Sequence, residues 1–188
     1  MISETSLISF SIKIKKEIEK KIPSLSRKLD YKSKKDSIID PVTKMDIEME
    51  KLIRSIIRKK YKNHNIIGEE LKNENLNSDY TWVIDPIDGT KNLILNLPTW
   101  SNLIGLYYKK NCIFSFANFP VLKKTFIGTI NSSFLFYGKR RKKIITNKNA
   151  NIDNMKLAIN TIHPLRFKKV DKFILNYKGF FRTTASDA

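Results

Sequence analysis

The segment that most restricts what this 188-residue chain can fold into is Tyr80-Thr81-Trp82-Val83-Ile84-Asp85-Pro86-Ile87-Asp88-Gly89-Thr90. Its first half is aromatic and β-branched, the composition of a strand. Its second half is a cluster of turn formers. The pattern predicts a short strand from Tyr80 to Ile84, stopped at Asp85, with Pro86 setting the backbone direction. A helix is expected to open at Gly89-Thr90. Two carboxylates three residues apart on so tight a turn have two readings. They cap the turn, or they converge on a hard cation such as Mg²⁺, which takes oxygen ligands and often pairs one or two carboxylates with a substrate phosphate. In the second reading the Ile87 carbonyl adds a ligand. The N–H groups of Gly89 and Thr90 then sit at a helix N-terminus, where an anion is favoured.

Apolar periodicity organises the rest. Leu7, Phe10, Ile14, Ile18 and Ile22 recur at steps of three and four, predicting a helix over residues 5–22 that Pro23 and the following serines end. Residues 30–40 read as a loop. Met45, Met49, Leu52, Ile53, Ile56 and Ile57 line one face of a second helix, from near Thr43 to near Lys60. Residues 100–108 and 113–119 form a hairpin around Lys109-Lys110-Asn111, and residues 125–130 and 134–137 another. A strand over 155–160, a helix over 165–176 and a strand over 180–184 close the chain. Helices followed by mostly antiparallel strands predict a layered α+β architecture. The expected division is an α+β domain at residues 1–145 and the start of an incomplete second domain at 146–188.

Two more acidic segments stand at punctuated places. Gly68-Glu69-Glu70 follows the apolar pair Ile66-Ile67. It is a solvated acidic loop, or a strand end that aims a side chain at a site. Thr43-Lys44-Met45-Asp46 has the form of a capping box, with Asp in place of Glu or Gln. A helix N-terminus of that kind can also orient a water molecule.

Composition narrows the class. The chain carries 36 Lys and Arg against 18 Asp and Glu, a formal charge of +18, and 41% of its residues are apolar, enough for a core. Residues 1–90 hold 15 acids and 18 bases, residues 91–188 only 3 acids and 18 bases. A basic half suits nucleic acid or an anionic substrate. Lys, Asn and Ile, the residues of AT-rich codons, are all abundant, and compositional drift is the plainest source of the charge. No apolar run reaches the roughly 18 residues of a membrane span, and residues 1–21 lack the apolar core of a secretory signal. The single Cys112 excludes an internal disulfide framework and a cysteine zinc cluster. A cytoplasmic, reducing location follows as the expectation.

Together the three acidic segments resemble the inositol monophosphatase superfamily, the Mg²⁺-dependent, lithium-sensitive phosphatases. The family's D-P-I/L-D-G-T motif is matched in full by residues 85–90, its G-E-E element by residues 68–70 and its V-T-x-x-D element by residues 42–46, in the same order. The resemblance implies a layered α/β sandwich of the sugar-phosphatase type. It implies Mg²⁺ held by Glu69, Asp85, the Ile87 carbonyl and Asp88. Asp46 and Thr90 would activate the attacking water, and the Gly89 and Thr90 amides would hold the phosphate. Lys35 falls where the family places a loop lysine near the site, and Glu70 matches the second acid of its element. A homodimer is the implied assembly.

The substrate is implied more narrowly. Leu97-Pro98-Thr99-Trp100, Phe119-Pro120 and the final Thr184-Ala185-Ser186-Asp187-Ala188 resemble the histidinol-phosphatase branch, making histidinol phosphate the first expectation. Inositol monophosphates and bisphosphate nucleotides are the alternatives. His64 and His163 belong to no phosphohistidine element, and Cys112 has no C-x₅-R phosphate loop. The rival class, a nucleic-acid module, rests on Lys139-Arg140-Arg141-Lys142-Lys143, read as a solvated hairpin tip with no accompanying nucleic-acid motif. The family also carries a later W-D element whose Asp completes its second metal site. Here Trp82 precedes Val83 and Trp100 precedes Ser101. The expectation is a truncated phosphatase, weak or inactive alone, with apolar surface left bare.

Overall fold

The computed structural model describes residues 2–25, 31–33, 41–138, 140–148, 151, 157–159 and 181–183. It divides into two units, Met1–Ile144 and Ile145–Ala188. In the first, helix α1 (Glu4–Leu25) is followed by strands β1 (Tyr31–Ser33) and β2 (Pro41–Thr43), an antiparallel pair, and helix α2 (Lys44–Lys60). Then come β3 (Asn65–Gly68), β4 (Tyr80–Asp88), the short helix α3 (Thr90–Ile94), and β5 (Ser101–Tyr108), β6 (Asn111–Phe119), β7 (Lys124–Thr129), β8 (Ser133–Tyr137) and β9 (Arg140–Ile144). Strands β3 to β9 form one seven-stranded sheet in sequence order, parallel between β3 and β4 and antiparallel elsewhere. The second unit contributes β10 (Leu157–Ile159) and β11 (Phe181–Thr183), paired in parallel.

Helices α1 and α2 cover one face of the sheet. Ile84, Ile104, Phe116 and Ile127 stand opposite one another across four strands and are all buried. They pack with Leu7, Phe10, Ile14 and Ile18 of α1 and Met49, Ile53 and Ile57 of α2. The two helices therefore lie on this side because their three-four stripes meet the inward alternation of the strands. Trp82, fully buried, is the centre of an aromatic cluster with Phe10, Tyr61 and Phe114. Removing one methyl group from this layer by Ile104→Val should cost about 1 kcal/mol. Urea unfolding checks this, and an unchanged midpoint would mean that the layer is loosely packed.

Several expected boundaries shift. Pro23 does not end α1; it lies in the last turn, which runs to Leu25. Residues 31–33, expected as loop, form β1. The basic run is not a hairpin tip. Arg140 to Lys143 lie in the edge strand β9 and are exposed, with Arg141 over the Phe134 ring at 5.0 Å. Charged side chains on an edge strand discourage pairing with another chain. The helix expected over 165–176 lies outside the described residues. No described helix is long and apolar enough to cross a membrane.

Candidate functional site

The site is built on a bulge. Asp85 pairs with Leu103 and Asp88 with Ser101, so Pro86 and Ile87 together face only Asn102. Strand β4 thus does not stop at Asp85 as its turn formers suggested; it continues to Asp88 with an extra residue. A bulge bends the strand and re-aims its side chains. Asn102 Nδ2 donates to the Pro86 carbonyl at 2.7 Å, and Ser101 Oγ donates to Asp88 Oδ2 at 3.0 Å. Gly89 follows with φ of 83°, a left-handed conformation open to glycine at low cost, and turns the chain into α3.

Glu69, just past the end of β3, stands close enough to Asp85 to act on its carboxyl group. Burial first, then the charges of Glu69 and Asp88, push Asp85 up to about 7. Asp85 Oδ1 is buried with no hydrogen-bond partner. A buried carboxylate oxygen without a donor is costly unless a cation or proton meets it. Among the described residues, no three acidic, histidine or cysteine side chains close on a single point as a finished cage. What β3, β4 and the bulge bring together is an acid pair, Glu69 and Asp85, with Asp88 within charge range.

Asp46 stands beside this group at the start of α2. The capping box forms: Thr43 Oγ1 accepts from the Met45 and Asp46 amides, and the Thr43 N–H donates to Asp46 Oδ2 at 2.8 Å. The Thr43 hydroxyl also bonds Asp46 Oδ2 closely. The other oxygen, Oδ1, faces Thr90 Oγ1 at 3.1 Å, and Thr90 Oγ1 lies equally 3.1 Å from the Ile87 carbonyl. The capping reading of Thr43-x-x-Asp46 holds through one carboxylate oxygen, while the other reaches across to α3. Burial raises Asp46 above the usual carboxylate range, against the hydrogen bonds from Thr43 and Thr90.

Residues that sequence reasoning passed over hold this arrangement. Glu50, fully buried on α2, accepts from the Glu70 amide at 2.7 Å and the Leu71 amide at 3.3 Å. Arg54 grips the same carboxylate and also reaches Glu74 and the Leu71 carbonyl. Asn102, Asn118 and Thr125 form a buried ladder behind the bulge, Asn118 Nδ2 to Asn102 Oδ1 at 3.1 Å and Thr125 Oγ1 to Asn118 Oδ1 at 2.8 Å. The available signal was polarity at an inward position: Glu50 next to the apolar Met49, four residues before Arg54, and Asn102 and Asn118 on β5 and β6. His64 is stacked between Tyr61 and Tyr80, and its Nδ1 accepts from Trp82 Nε1. Lys35, His163 and the final five residues lie outside the described residues.

A protein-family model for the inositol monophosphatase family matches residues 4–185. The chain belongs to the inositol monophosphatase family. Among curated relatives, it is 32% identical over 148 residues to the fructose-1,6-bisphosphatase/inositol-1-monophosphatase of Thermotoga maritima, covering 78% of this chain and 55% of that protein. It is 41% identical over 107 residues to the bifunctional phosphatase IMPL2 of Arabidopsis thaliana, covering 52% of this chain and 30% of that protein. Among solved structures, an IMPase of Thermotoga maritima superposes with a TM-score of 0.75 at 25% identity, covering 95% of this chain and 68% of that one. The fold is that of the inositol monophosphatases, an α+β sandwich. The chain spans about a third to a half of the length of these two curated relatives.

Proposed function

We propose that this inositol monophosphatase family chain is a Mg²⁺-dependent phosphate monoester hydrolase acting on a small phosphorylated metabolite. The observation that carries the reading is the unpartnered buried oxygen of Asp85, set against Glu69 and Asp88 and beside the Asp46–Thr90 pair. The donor set is all oxygen, three carboxylates and the Ile87 carbonyl, which suits a hard cation. Glu69, Asp85, Ile87 and Asp88 are the residues that would hold Mg²⁺. Bound there, the ion neutralises phosphate charge and makes a water molecule a better nucleophile.

The chain's own groups supply the proton path. Thr90 has one hydroxyl proton and two acceptors in reach, Asp46 Oδ1 and the Ile87 carbonyl. Directed at Asp46, the hydroxyl turns its lone pairs outward to accept a proton from water. Asp46, raised by burial, accepts better than a solvated carboxylate. Water oxygen attacks phosphorus in line, its proton passing through Thr90 to Asp46, the ester P–O bond breaks, and the leaving alkoxide takes up a proton from solvent water. The amides of Gly89 and Thr90 are assigned to the phosphate oxygens.

The relatives' names put inositol monophosphate first among substrates. Histidinol phosphate keeps the short resemblances at residues 97–100 and 184–188. The test is phosphate release from inositol monophosphate, histidinol phosphate and adenosine bisphosphate, with and without Mg²⁺. Mg²⁺-dependent release in one arm is expected. No release in any arm by a chain that folds and binds Mg²⁺ would overturn the enzyme reading in favour of a non-catalytic remnant.

Thr90→Ala should lower turnover at least about 100-fold, the scale of a lost proton-transfer partner. It should cost only about 1 kcal/mol of stability, the scale of a helix-start residue. Steady-state kinetics and thermal melting on the same preparation separate the two. A sharp fall in melting temperature with unchanged turnover per folded molecule would reduce Thr90 to a structural role.

A further inference from the structure

We infer that Glu50 is a positioning residue for Glu69, and that α2 thereby sets the spacing between the water-activating acid and the metal-binding acid. This rests on the metal reading above. Asp46 and Glu50 are one helical turn apart on α2, so they project from the same side. Asp46 reaches Thr90. Glu50 reaches the loop that follows β3: its two oxygens accept the Glu70 and Leu71 amides, the first two N–H groups after Glu69. Arg54, one turn further on, holds the carboxylate by Nε at 2.8 Å and Nη2 at 2.7 Å and donates to the Leu71 carbonyl at 3.2 Å. The backbone on the C-terminal side of Glu69 is thus fixed from both its N–H and C=O groups by one buried ion pair.

The other side of Glu69 is fixed by fit. Gly68 lies so close that a Cβ there would come 1.9 Å from Glu50 Oε1. The Gly68-Glu69-Glu70 turn therefore wraps the Glu50 carboxylate, which leaves the Glu69 side chain to meet Asp85. A full charge buried this far from solvent is expensive unless it is paired and hydrogen-bonded, and here two amides and a guanidinium meet it. Leu or Met at position 50 would fill the volume but give the loop nothing to close on.

The test is Glu50→Gln in the full chain, with the probe being Mn²⁺ alone. One amide side of Gln is a donor and cannot accept from the Glu70 or Leu71 N–H. Calorimetry should show Mn²⁺ binding at least about 10-fold weaker than wild type at a temperature where both are folded. Hydrogen exchange should show faster exchange at Glu70 and Leu71, with the central amides of α2 little changed. Ile57→Val, a buried α2 position two turns beyond Glu50, is the stability control and should leave Mn²⁺ affinity unchanged. If Glu50→Gln does not fold, Glu50→Gln with Arg54→Met removes both charges together and is read the same way. Wild-type Mn²⁺ affinity in a folded Glu50 variant would overturn the proposal alone. A wild-type chain that binds no Mn²⁺ would overturn the metal reading and this proposal with it.

Discussion

Asp85→Asn is expected to abolish Mg²⁺ binding and, in EDTA, to raise the melting temperature of the chain. Both follow from the same electrostatics. Asp85 is half-buried beside Glu69 and Asp88, and that surrounding pushes it up to about 7. Without a cation, its ionised form is unfavourable in the fold and costs nothing in the unfolded chain. The folded state therefore holds a proton that the unfolded state has lost between about pH 4 and pH 7. Stability in EDTA should fall as pH rises through that window. Allowing for solvent screening, the loss is about 1–2 kcal/mol. Asparagine removes the charge and with it this part of the slope, and also removes the carboxylate that a hard cation needs. Calorimetric titration with Mg²⁺ and melting curves in EDTA from pH 4 to 8 check both halves. Matching Mg²⁺ isotherms for wild type and variant would take Asp85 out of the metal site.

Gly68→Ala should destabilise the chain by about 3 kcal/mol, although alanine is among the smallest of changes. The new Cβ would meet Glu50 Oε1 at 1.9 Å, Glu50 Cδ at 2.4 Å and Arg54 Nη2 at 2.7 Å. An exposed side chain would swing aside cheaply. Glu50 cannot, because it is fully buried and held by Arg54 and the Glu70 and Leu71 amides. Relief means shifting β3 or breaking a buried ion pair, and breaking such a pair costs about 3–5 kcal/mol. For a chain of this size that corresponds to a fall of roughly 6–12 °C in melting temperature. Differential scanning calorimetry decides it; a loss within about 1 kcal/mol would show that the turn has room to move.

Legibility in the sequence followed the range of the forces. Helices α1 and α2 were visible as apolar stripes, since each stripe is a local pattern that a helix turns into a face. The hairpins were visible through their turn residues, Lys109 adopting a φ of 55° at the first of them. The local pattern stops strand β4 at Asp85 because Pro86 and Asp88 are poor strand residues. Pairing with β5 carries the strand through them by placing the mismatch in a bulge, with Asn102 occupying the Pro86 carbonyl. The basic run reads as a hairpin tip because charge alone does not distinguish a loop from an exposed edge strand.

The acids divide in the same way. Asp46, Glu69, Asp85 and Asp88 stood out by their neighbours in the chain, where proline, glycine and a capping pattern mark the ends of elements. The family, and with it the α+β sandwich, was already written in those three short segments. Only the tertiary structure decided which partner each acid meets. It splits Asp46 between Thr43 and Thr90, joins Glu69 to Asp85 across two strands, and leaves one oxygen of Asp85 without a donor. It also buries Glu50, which in the sequence is one more acid on a charged helix. Burial and hydrogen bonding at a carboxylate depend on residues tens of positions away, such as Glu70 for Glu50 and Thr90 for Asp46. No local pattern carries that information, because it arises only when the sheet has closed against the helices.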